Sequence, residues 1–283
     1  ENGNDTALVA KGSFDGGIGN DTASIDAVDD TGGNGFGWIL NGNYVGAAST
    51  LSGIAGALSA GGSYQLYNNQ SGVQLTLSNV ENLNFLAGSA GNDLAFALGT
   101  GTTYRGAGGI DTFYADWSAS TADIAWDGDS GNGITTSNFE RFLLLSGSGN
   151  DVFGQLDNTG YAELSTGGGN DVATMNSGSI DGGSGLDTVN IDTADATGGL
   201  GYGWILNGWY ASAGASRLDL QGFLGLGNDW RLYNNSVGVQ LSMTGVESLN
   251  VLSGSAGDDM LFARWAGTTY AGVAGKEIFY DNW

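Results

Sequence analysis

A short motif that joins glycines to a single carboxylate recurs along this sequence, and its residue types suit a hard cation. Typical copies read GGIGNDTAS, GSAGNDLAF and GGSGLDTVN, in which one Asp follows a glycine-rich loop. Hard divalent cations such as Ca²⁺ take six to eight oxygen ligands from carboxylates and carbonyl groups. Glycine lets the loop curl so that main-chain carbonyl oxygens point inward, and the Asp adds negative charge. The motif therefore predicts several calcium sites, with these candidate ligand-forming residues: Asp5, Gly16, Gly17, Gly19, Asp21, Gly88, Gly91, Asp93, Gly106, Gly109, Asp111, Gly147, Gly149, Asp151, Gly167, Gly169, Asp171, Gly182, Gly183, Gly185, Asp187, Gly254, Gly257 and Asp259.

The spacing of the motif predicts the elements that position these residues. Neighbouring Asp residues within a block are 16, 18 or 20 positions apart, which matches one turn of two short strands and two tight loops. A larger apolar residue two positions after the Asp, as at Phe113, Phe153, Val189 and Leu261, should begin a strand with its side chain in the core. Stacked turns would place a column of carboxylates ~5 Å apart, and this column repels itself without an ion. We therefore expect folding to depend on calcium.

Three related segments precede the blocks, and each contains a glutamate. The segments NVENLNFL, NFERFLLL and GVESLNVL place Glu81, Glu140 and Glu247 ahead of the first motif Asp. We interpret each segment as a strand that leads the chain into a stack of turns. A ninth copy of the motif has Glu277 in place of the Asp, next to Lys276, and this copy is predicted to be a weakened site.

The chain also contains a long internal repeat. Residues 1–117 align with 167–283 without a gap, at an offset of 166 positions, and TGGNGFGWILNGNY returns as TGGLGYGWILNGWY. A match of this length indicates duplication. We expect the chain to be part of a longer tandem array, with further copies of the repeat as its neighbours and self-association as a consequence. The alternative is a complete protein of two domains.

Two β-rich segments, residues 31–86 and 197–252, separate the blocks. They alternate apolar and polar residues as strands do. Residues 49–60 could form one short helix, although their counterpart SRLDLQGFLGLG argues against a good one. The predicted fold is all-β: parallel β-roll (β-solenoid) stacks with calcium loops that alternate with β-rich inserts. The predicted boundaries are 1–30 (end of a roll block), 31–86 (insert), 87–117 (roll block), 118–145 (β-rich connector), 146–196 (roll block), 197–252 (second insert) and 253–283 (roll block).

Composition excludes several functional classes. The chain has 30 acidic and 7 basic residues, a formal net charge of −23, so binding to nucleic-acid phosphate or anionic lipid is unfavourable. Without His or Cys the chain has neither the usual zinc ligands nor the usual general base. No apolar run is long enough to insert into a membrane.

The motif resembles the nonapeptide G-G-x-G-x-D-x-U-x, where U is a large apolar residue, of the RTX (hemolysin-type) calcium-binding repeat family. Asp15–Ser24 and Gly182–Asn190 match it best, although Ala23 is smaller than usual. The resemblance implies a parallel β-roll with calcium between loops, type I secretion of an unfolded chain and folding in extracellular calcium. The chain departs from the family in that every second loop has lost the motif.

Three functions follow from these patterns. The first is a secreted, calcium-binding structural repeat protein of a filament, surface layer or large adhesin, outside the cell or on its surface. The second is a non-catalytic module that binds surface polysaccharide through exposed aromatics. The candidates are Trp38, Tyr44, Tyr64, Tyr67, Trp204, Trp209 and Trp230, which could equally fill the core. The third, an enzyme that uses two carboxylates on a glycosidic bond, is disfavoured because the calcium motif accounts for most acids; we expect no catalysis.

Overall fold

The computed structural model describes residues 2–26, 33–59, 63–98, 103–156, 161–192, 201–264, 270–272 and 274–281. Strands dominate these residues, and two short helices accompany them. The all-β class predicted from the alternating pattern is confirmed.

The elements of the first half, in chain order, are β1 (Thr6–Leu8), β2 (Gly12–Asp15), β3 (Thr22–Asp26), β4 (Phe36–Leu40), β5 (Asn43–Val45), α1 (Leu51–Leu58), β6 (Ser63–Asn68), β7 (Gly72–Ser78), β8 (Asn82–Ala87), β9 (Leu94–Ala97), β10 (Thr103–Arg105), β11 (Thr112–Asp116), β12 (Ala125–Trp126), β13 (Ser130–Gly131), β14 (Ile134–Ser137) and β15 (Arg141–Leu145). The second half contains β16 (Val152–Phe153), β17 (Tyr161–Ser165), β18 (Val172–Thr174), β19 (Gly178–Asp181), β20 (Thr188–Asp192), β21 (Tyr202–Leu206), β22 (Trp209–Ala211), α2 (Arg217–Leu224), β23 (Trp230–Asn234), β24 (Gly238–Thr244), β25 (Ser248–Ser253), β26 (Met260–Arg264) and β27 (Ile278–Asp281).

The chain divides into two compact units, and the first comprises Glu1–Trp117 and Gly128–Leu144. In this unit the strands that follow motif residues pair in parallel: β1 with β3, β3 with β8, and β9 with β11. Strands β4, β5, β6 and β7 form antiparallel pairs, and β7 joins β2 in parallel. Turns of the motif are thus separated by a meander whose last strand returns beside the turns.

The second unit comprises Ser118–Asp127 and Leu145–Trp283. One parallel series runs through β12, β16, β18, β20 and β25, and another through β17, β19 and β24. Strands β21, β22, β23 and β24 pair antiparallel, as their counterparts do in the first unit. The registers also correspond: Thr22 lies beside Asn82, and Thr188, 166 positions later, lies beside Ser248.

Residues 49–60 contain the short helix that the sequence allows there, and their counterpart, whose residues argue against a good helix, contains one of the same length. Helix α2 begins after Ser216, whose hydroxyl accepts a hydrogen bond from the Asp219 N–H (3.2 Å), and Asp219 adds a negative charge to the first turn. Helix α1 has the equivalent cap at Thr50. A capped first turn and an acidic residue there stabilise a short helix that has a weak apolar face.

The core of the first unit is aromatic. Trp38 of the meander lies fully buried between Phe85 and Phe96, with ring centroids 6.1 and 5.4 Å away, and its Nε1–H donates to the carbonyl of Leu94 (2.9 Å). In the second unit Trp204 makes the same bond to Met260 (2.9 Å). Edge-to-face rings with a satisfied indole N–H are a favourable way to fill a core built on glycine-rich strands.

Candidate metal centre

Seven of the motif aspartates occupy the same place in their turns, directly before a parallel strand. Thr112 pairs with Leu94 and Thr188 with Val172, so the preceding Asp residues lie one above the other in adjacent turns. The seven side chains are at most 2% exposed, and they are Asp21, Asp93, Asp111, Asp151, Asp171, Asp187 and Asp259. Asp5 differs because it is only partly buried. The larger apolar residues two positions later are buried too, as predicted for Phe113, Phe153, Val189 and Leu261.

One oxygen of each buried carboxylate belongs to a hydrogen-bond ladder. In four of the seven, the Oδ1 atom accepts the backbone N–H of the motif Asp in the preceding turn: Asp5 donates to Asp21 (2.7 Å), Asp93 to Asp111 (2.8 Å), and Asp151 to Asp171 (2.7 Å). Asp171 continues the series by donating to Asp187 (2.9 Å). A carboxylate that accepts a backbone N–H makes a strong, charge-assisted bond. The Asp therefore joins adjacent turns in addition to any role toward an ion.

Three glutamates continue this ladder, and sequence reasoning missed that role. The N–H groups of Asp21, Asp111 and Asp187 donate to Oε2 of Glu81 (2.8 Å), Glu140 (2.8 Å) and Glu247 (3.0 Å), respectively. Each glutamate occupies the Asp position of its own turn. The sequence contains a pattern that indicates this role, because an apolar residue follows each glutamate by two positions, as it follows the motif Asp: Leu83, Phe142 and Leu249.

The residue before the Asp forms a second ladder that runs in the opposite direction. Asn4 Oδ1 accepts the N–H of Asn20 (3.0 Å), Asn92 that of Ile110 (2.8 Å), and Asn150 that of Asn170 (2.8 Å). The Asn-Asp pair of a turn therefore binds the turn above through one side chain and the turn below through the other. This arrangement gives the recurrent GND sequence a structural reason that is independent of any metal.

The second carboxylate oxygen divides the motifs into two groups. At Asp93 and Asp259, Oδ2 accepts the backbone N–H of Ser89 (2.7 Å) and Ser255 (2.6 Å), and the serine hydroxyls lie 3.1 Å away. At Asp151, Oδ2 accepts the Ser146 hydroxyl. The remaining group has a buried Oδ2 without a hydrogen-bond partner, and it consists of Asp21, Asp111, Asp171 and Asp187. A buried, unpaired carboxylate oxygen is costly unless something else compensates it.

Main-chain carbonyls lie close to two of these unpaired oxygens, those of Asp111 and Asp187, and the paired Oδ2 of Asp93 has a carbonyl in the same place, from Gly106. A Cβ added to Gly106 would lie 2.5 Å from Asp111 Oδ2 and would overlap the carbonyl oxygen of Asn138. A Cβ on Gly182 would likewise lie 2.9 Å from Asp187 Oδ2 and overlap the carbonyl of Gly245. Both carbonyls come from residues with positive φ angles, at 57° and 60°. The loops thus contain small cradles lined by oxygen.

The other predicted glycines lie in the same loops, where carbonyl groups stack turn on turn. A Cβ on Gly109, Gly169, Gly183 or Gly185 would overlap the carbonyl of the glycine in the neighbouring turn. Gly91 and Gly149 pack instead against the backbone at Gly35 and Ala122. Close approach of backbone to backbone therefore requires glycine at these positions.

Burial raises the pKa of four of the motif carboxylates, Asp93, Asp111, Asp171 and Asp187. Desolvation above all, together with the charges of Asp93 and Glu140, raises the pKa of Asp111 to about 8, although the backbone hydrogen bond from Asp93 lowers it. Desolvation likewise raises the pKa of Asp93 and of Asp187 to about 6. A bound cation would remove this penalty because it favours the ionised form.

The unpaired carboxylate oxygens suit a cation that takes most of its ligands from main-chain carbonyls. Within the described residues, no group of three or more acidic side chains is arranged to hold a metal ion. A cation there would take one or two carboxylates and draw its other ligands from main-chain carbonyls, a mixture that Ca²⁺ accepts. The residues that would hold it are Asp21, Asp111, Asp171 and Asp187, with carbonyls such as those of Asn138 and Gly245.

Glu277 lies in register with Asp259, and both of its carboxylate oxygens are buried without a partner. Desolvation and the charges of Asp259 and Asp258 raise its pKa. The Lys276 N–H donates to Asp258 Oδ1 (2.7 Å), so the second ladder extends to this turn.

The aromatic candidates for polysaccharide binding separate by exposure. Trp38, Trp204 and Trp230 are fully buried, and Tyr64 is nearly so. Tyr44 and Trp209 are more than half exposed. The stacking hypothesis therefore depends on the exposed pair, while the buried rings form core.

No protein-family model and no curated protein matches this sequence. The two helices in the described residues have eight residues each, far fewer than a helix needs to cross a membrane.

Proposed function

We propose that this chain is a secreted, calcium-binding structural repeat protein whose turns form parallel β-rolls that fold and assemble on calcium binding. The observation that carries the proposal is the set of four buried carboxylate oxygens without partners, each inside a glycine-rich loop that presents carbonyl oxygens. Calcium supplies the positive charge that these loops lack.

Charge and repetition support a structural role outside the cell or on its surface. A net charge of −23 opposes compaction unless cations compensate it, and extracellular calcium is abundant enough to occupy weak sites. The parallel pairing at matching registers 166 positions apart supports repeated, stackable units. We propose a filament, surface layer or adhesin as the assembly, further copies of the repeat as partners, and no catalytic activity.

The test is thermal unfolding of the whole chain followed by circular dichroism, in calcium-free buffer and with excess calcium chloride. Magnesium chloride at equal ionic strength is the matched control, since Mg²⁺ demands a more rigid octahedral geometry. We expect a higher melting temperature in calcium than in magnesium. Identical melting in all three buffers would refute the proposal.

A further inference from the structure

The loops before the motif aspartates adopt two backbone conformations, and these correspond to the two groups of carboxylates. We define the open loops as those before Asp21, Asp111, Asp171 and Asp187, and the closed loops as those before Asp93, Asp151 and Asp259. The residue four positions before the Asp has a positive φ in every open loop: Gly17 (93°), Ala107 (82°), Gly167 (82°) and Gly183 (77°). The closed-loop equivalents Ser89, Gly147 and Ser255 do not have one.

Ala107 shows that this left-handed conformation is imposed by the loop. Alanine pays a steric penalty at positive φ, which glycine avoids. The conformation is therefore maintained even where the sequence does not favour it. A strained residue at a recurring loop position points to a function for that loop shape.

The backbone conformation decides whether Oδ2 is satisfied by the protein. In the closed loops before Asp93 and Asp259, the N–H four residues earlier points at Oδ2. In the open loop before Asp187, the corresponding Gly183 N–H donates to Asp181 Oδ1 instead (3.2 Å). The Thr166 hydroxyl of another open loop donates to the carbonyl of Gly182 (2.8 Å). In the loop before Asp187, the donor that would close the loop is thus directed elsewhere.

Each closed loop lies in the first turn of a series of stacked turns. Each closed-loop Asp accepts its ladder bond from a residue outside the motif, namely Phe36 for Asp93, Ile124 for Asp151 and Tyr202 for Asp259. Every open-loop Asp accepts it from another motif Asp. Closed loops therefore begin a series of turns, and open loops continue it.

We propose that only the open loops bind calcium, whereas the serine-closed loops are ion-independent first turns on which the calcium-dependent turns are built. The inference rests on the proposed calcium function and specifies which motifs carry it. Serine supplies at Asp93, Asp151 and Asp259 the compensation that a cation supplies at the other four. A series can then retain its first turn without calcium and add further turns as the ion becomes available.

The test is a count of bound calcium by equilibrium dialysis and elemental analysis of the whole chain. The open-loop variants are Asp111→Asn and Asp187→Asn, and the matched closed-loop variants are Asp93→Asn and Asp259→Asn. We expect each open-loop variant to lose at least one ion per chain, and each closed-loop variant that folds to keep the wild-type number. Loss of an ion from a folded closed-loop variant, or an unchanged count in both open-loop variants, would overturn the inference.

Ser255→Ala provides a second measurement that avoids removing a ladder carboxylate. It deletes one hydroxyl donor from Asp259 and keeps the backbone N–H bond. We expect a lower melting temperature in calcium-free buffer and an unchanged ion count; a reduced count would contradict the inference. A wild-type chain that binds no calcium would refute the proposed function itself, which is distinct from a chain that binds calcium at both kinds of loop.

Discussion

Replacement of Asp111 by Asn should have opposite effects on stability with and without calcium. The pKa of Asp111 is raised from 3.8 to about 8 by burial. At pH 7 the ion-free folded state must therefore hold a proton that the unfolded chain releases. At pH 7 the loss is set by the gap of roughly 3 pH units between the solution and the unfolded-state pKa, which corresponds to at most ~4 kcal/mol of stability.

Asparagine removes this penalty and keeps an oxygen for the Asp93 N–H. Its amide NH₂ would be left unpaired at the Oδ2 position, which costs ~1–3 kcal/mol. The variant should thus be more stable than wild type by about 1–3 kcal/mol in calcium-free buffer. For a unit of this size, each ~1 kcal/mol raises the melting temperature by about 2–4 °C.

In excess calcium the order should reverse. A site held at a thousandfold excess of calcium over its Kd stabilises the native state by ~4.1 kcal/mol, which exceeds the variant's advantage, and the variant lacks that site. Thermal unfolding at pH 7 in both buffers measures the difference, with Asp116→Asn, an exposed acid at the end of β11, as the charge control. An Asp111→Asn chain that is destabilised equally in both buffers would show that the carboxylate is only a ladder acceptor.

Three further predictions concern pH, the glutamate ladder and the aromatic core. In calcium-free buffer, Asp93, Asp111 and Asp187 have folded-state pKa values above the ordinary 3.8. Their contribution to stability is therefore complete below about pH 4 and is lost as the pH rises to about 8. The melting temperature should accordingly fall between pH 5 and pH 8, and calcium should reduce this fall. A calcium-free melting temperature that rises over this range would contradict the assignment. Glu247→Ala leaves the Asp187 N–H without its acceptor and should lower the free energy of unfolding in urea by ~1–3 kcal/mol. Glu247→Gln keeps an acceptor and should lower it clearly less. Equal losses in the two variants would mean that the hydrogen bond is unimportant. Trp38→Ala should cost ~3–5 kcal/mol because the ring is fully buried, and near-wild-type stability would refute the core assignment.

Local spacing was sufficient to predict where the motif aspartates lie. A turn of 16 to 20 residues returns the chain to the same edge, and an apolar residue two positions after the Asp places that side chain in the core. These features depend on the alternation of side chains along a strand, which is a property of the nearest residues. The positions of Asp21, Asp111 and Asp187 followed from it.

The contacts that distinguish one motif from another come from residues far away in the chain. Asp21 meets Glu81 across 60 residues because a whole meander is inserted between two adjacent turns. The sequence repeat showed that this meander exists, but only its folded path brings β8 beside β3. Likewise, the burial of Trp38 and the exposure of Tyr44 depend on which face of the meander meets the turns.

The all-β class and the place of one carboxylate in each glycine-rich loop could be predicted from the sequence alone, because both follow from spacing and residue type. The tertiary structure decided which carboxylate oxygens are satisfied, because a hydrogen bond depends on the direction of a donor as well as on its presence. Ser89 and Gly183 both stand four residues before a motif Asp, yet the Ser89 N–H donates to Asp93 and the Gly183 N–H donates to Asp181. The backbone differs accordingly, since Gly183 has a positive φ (77°) and Ser89 does not.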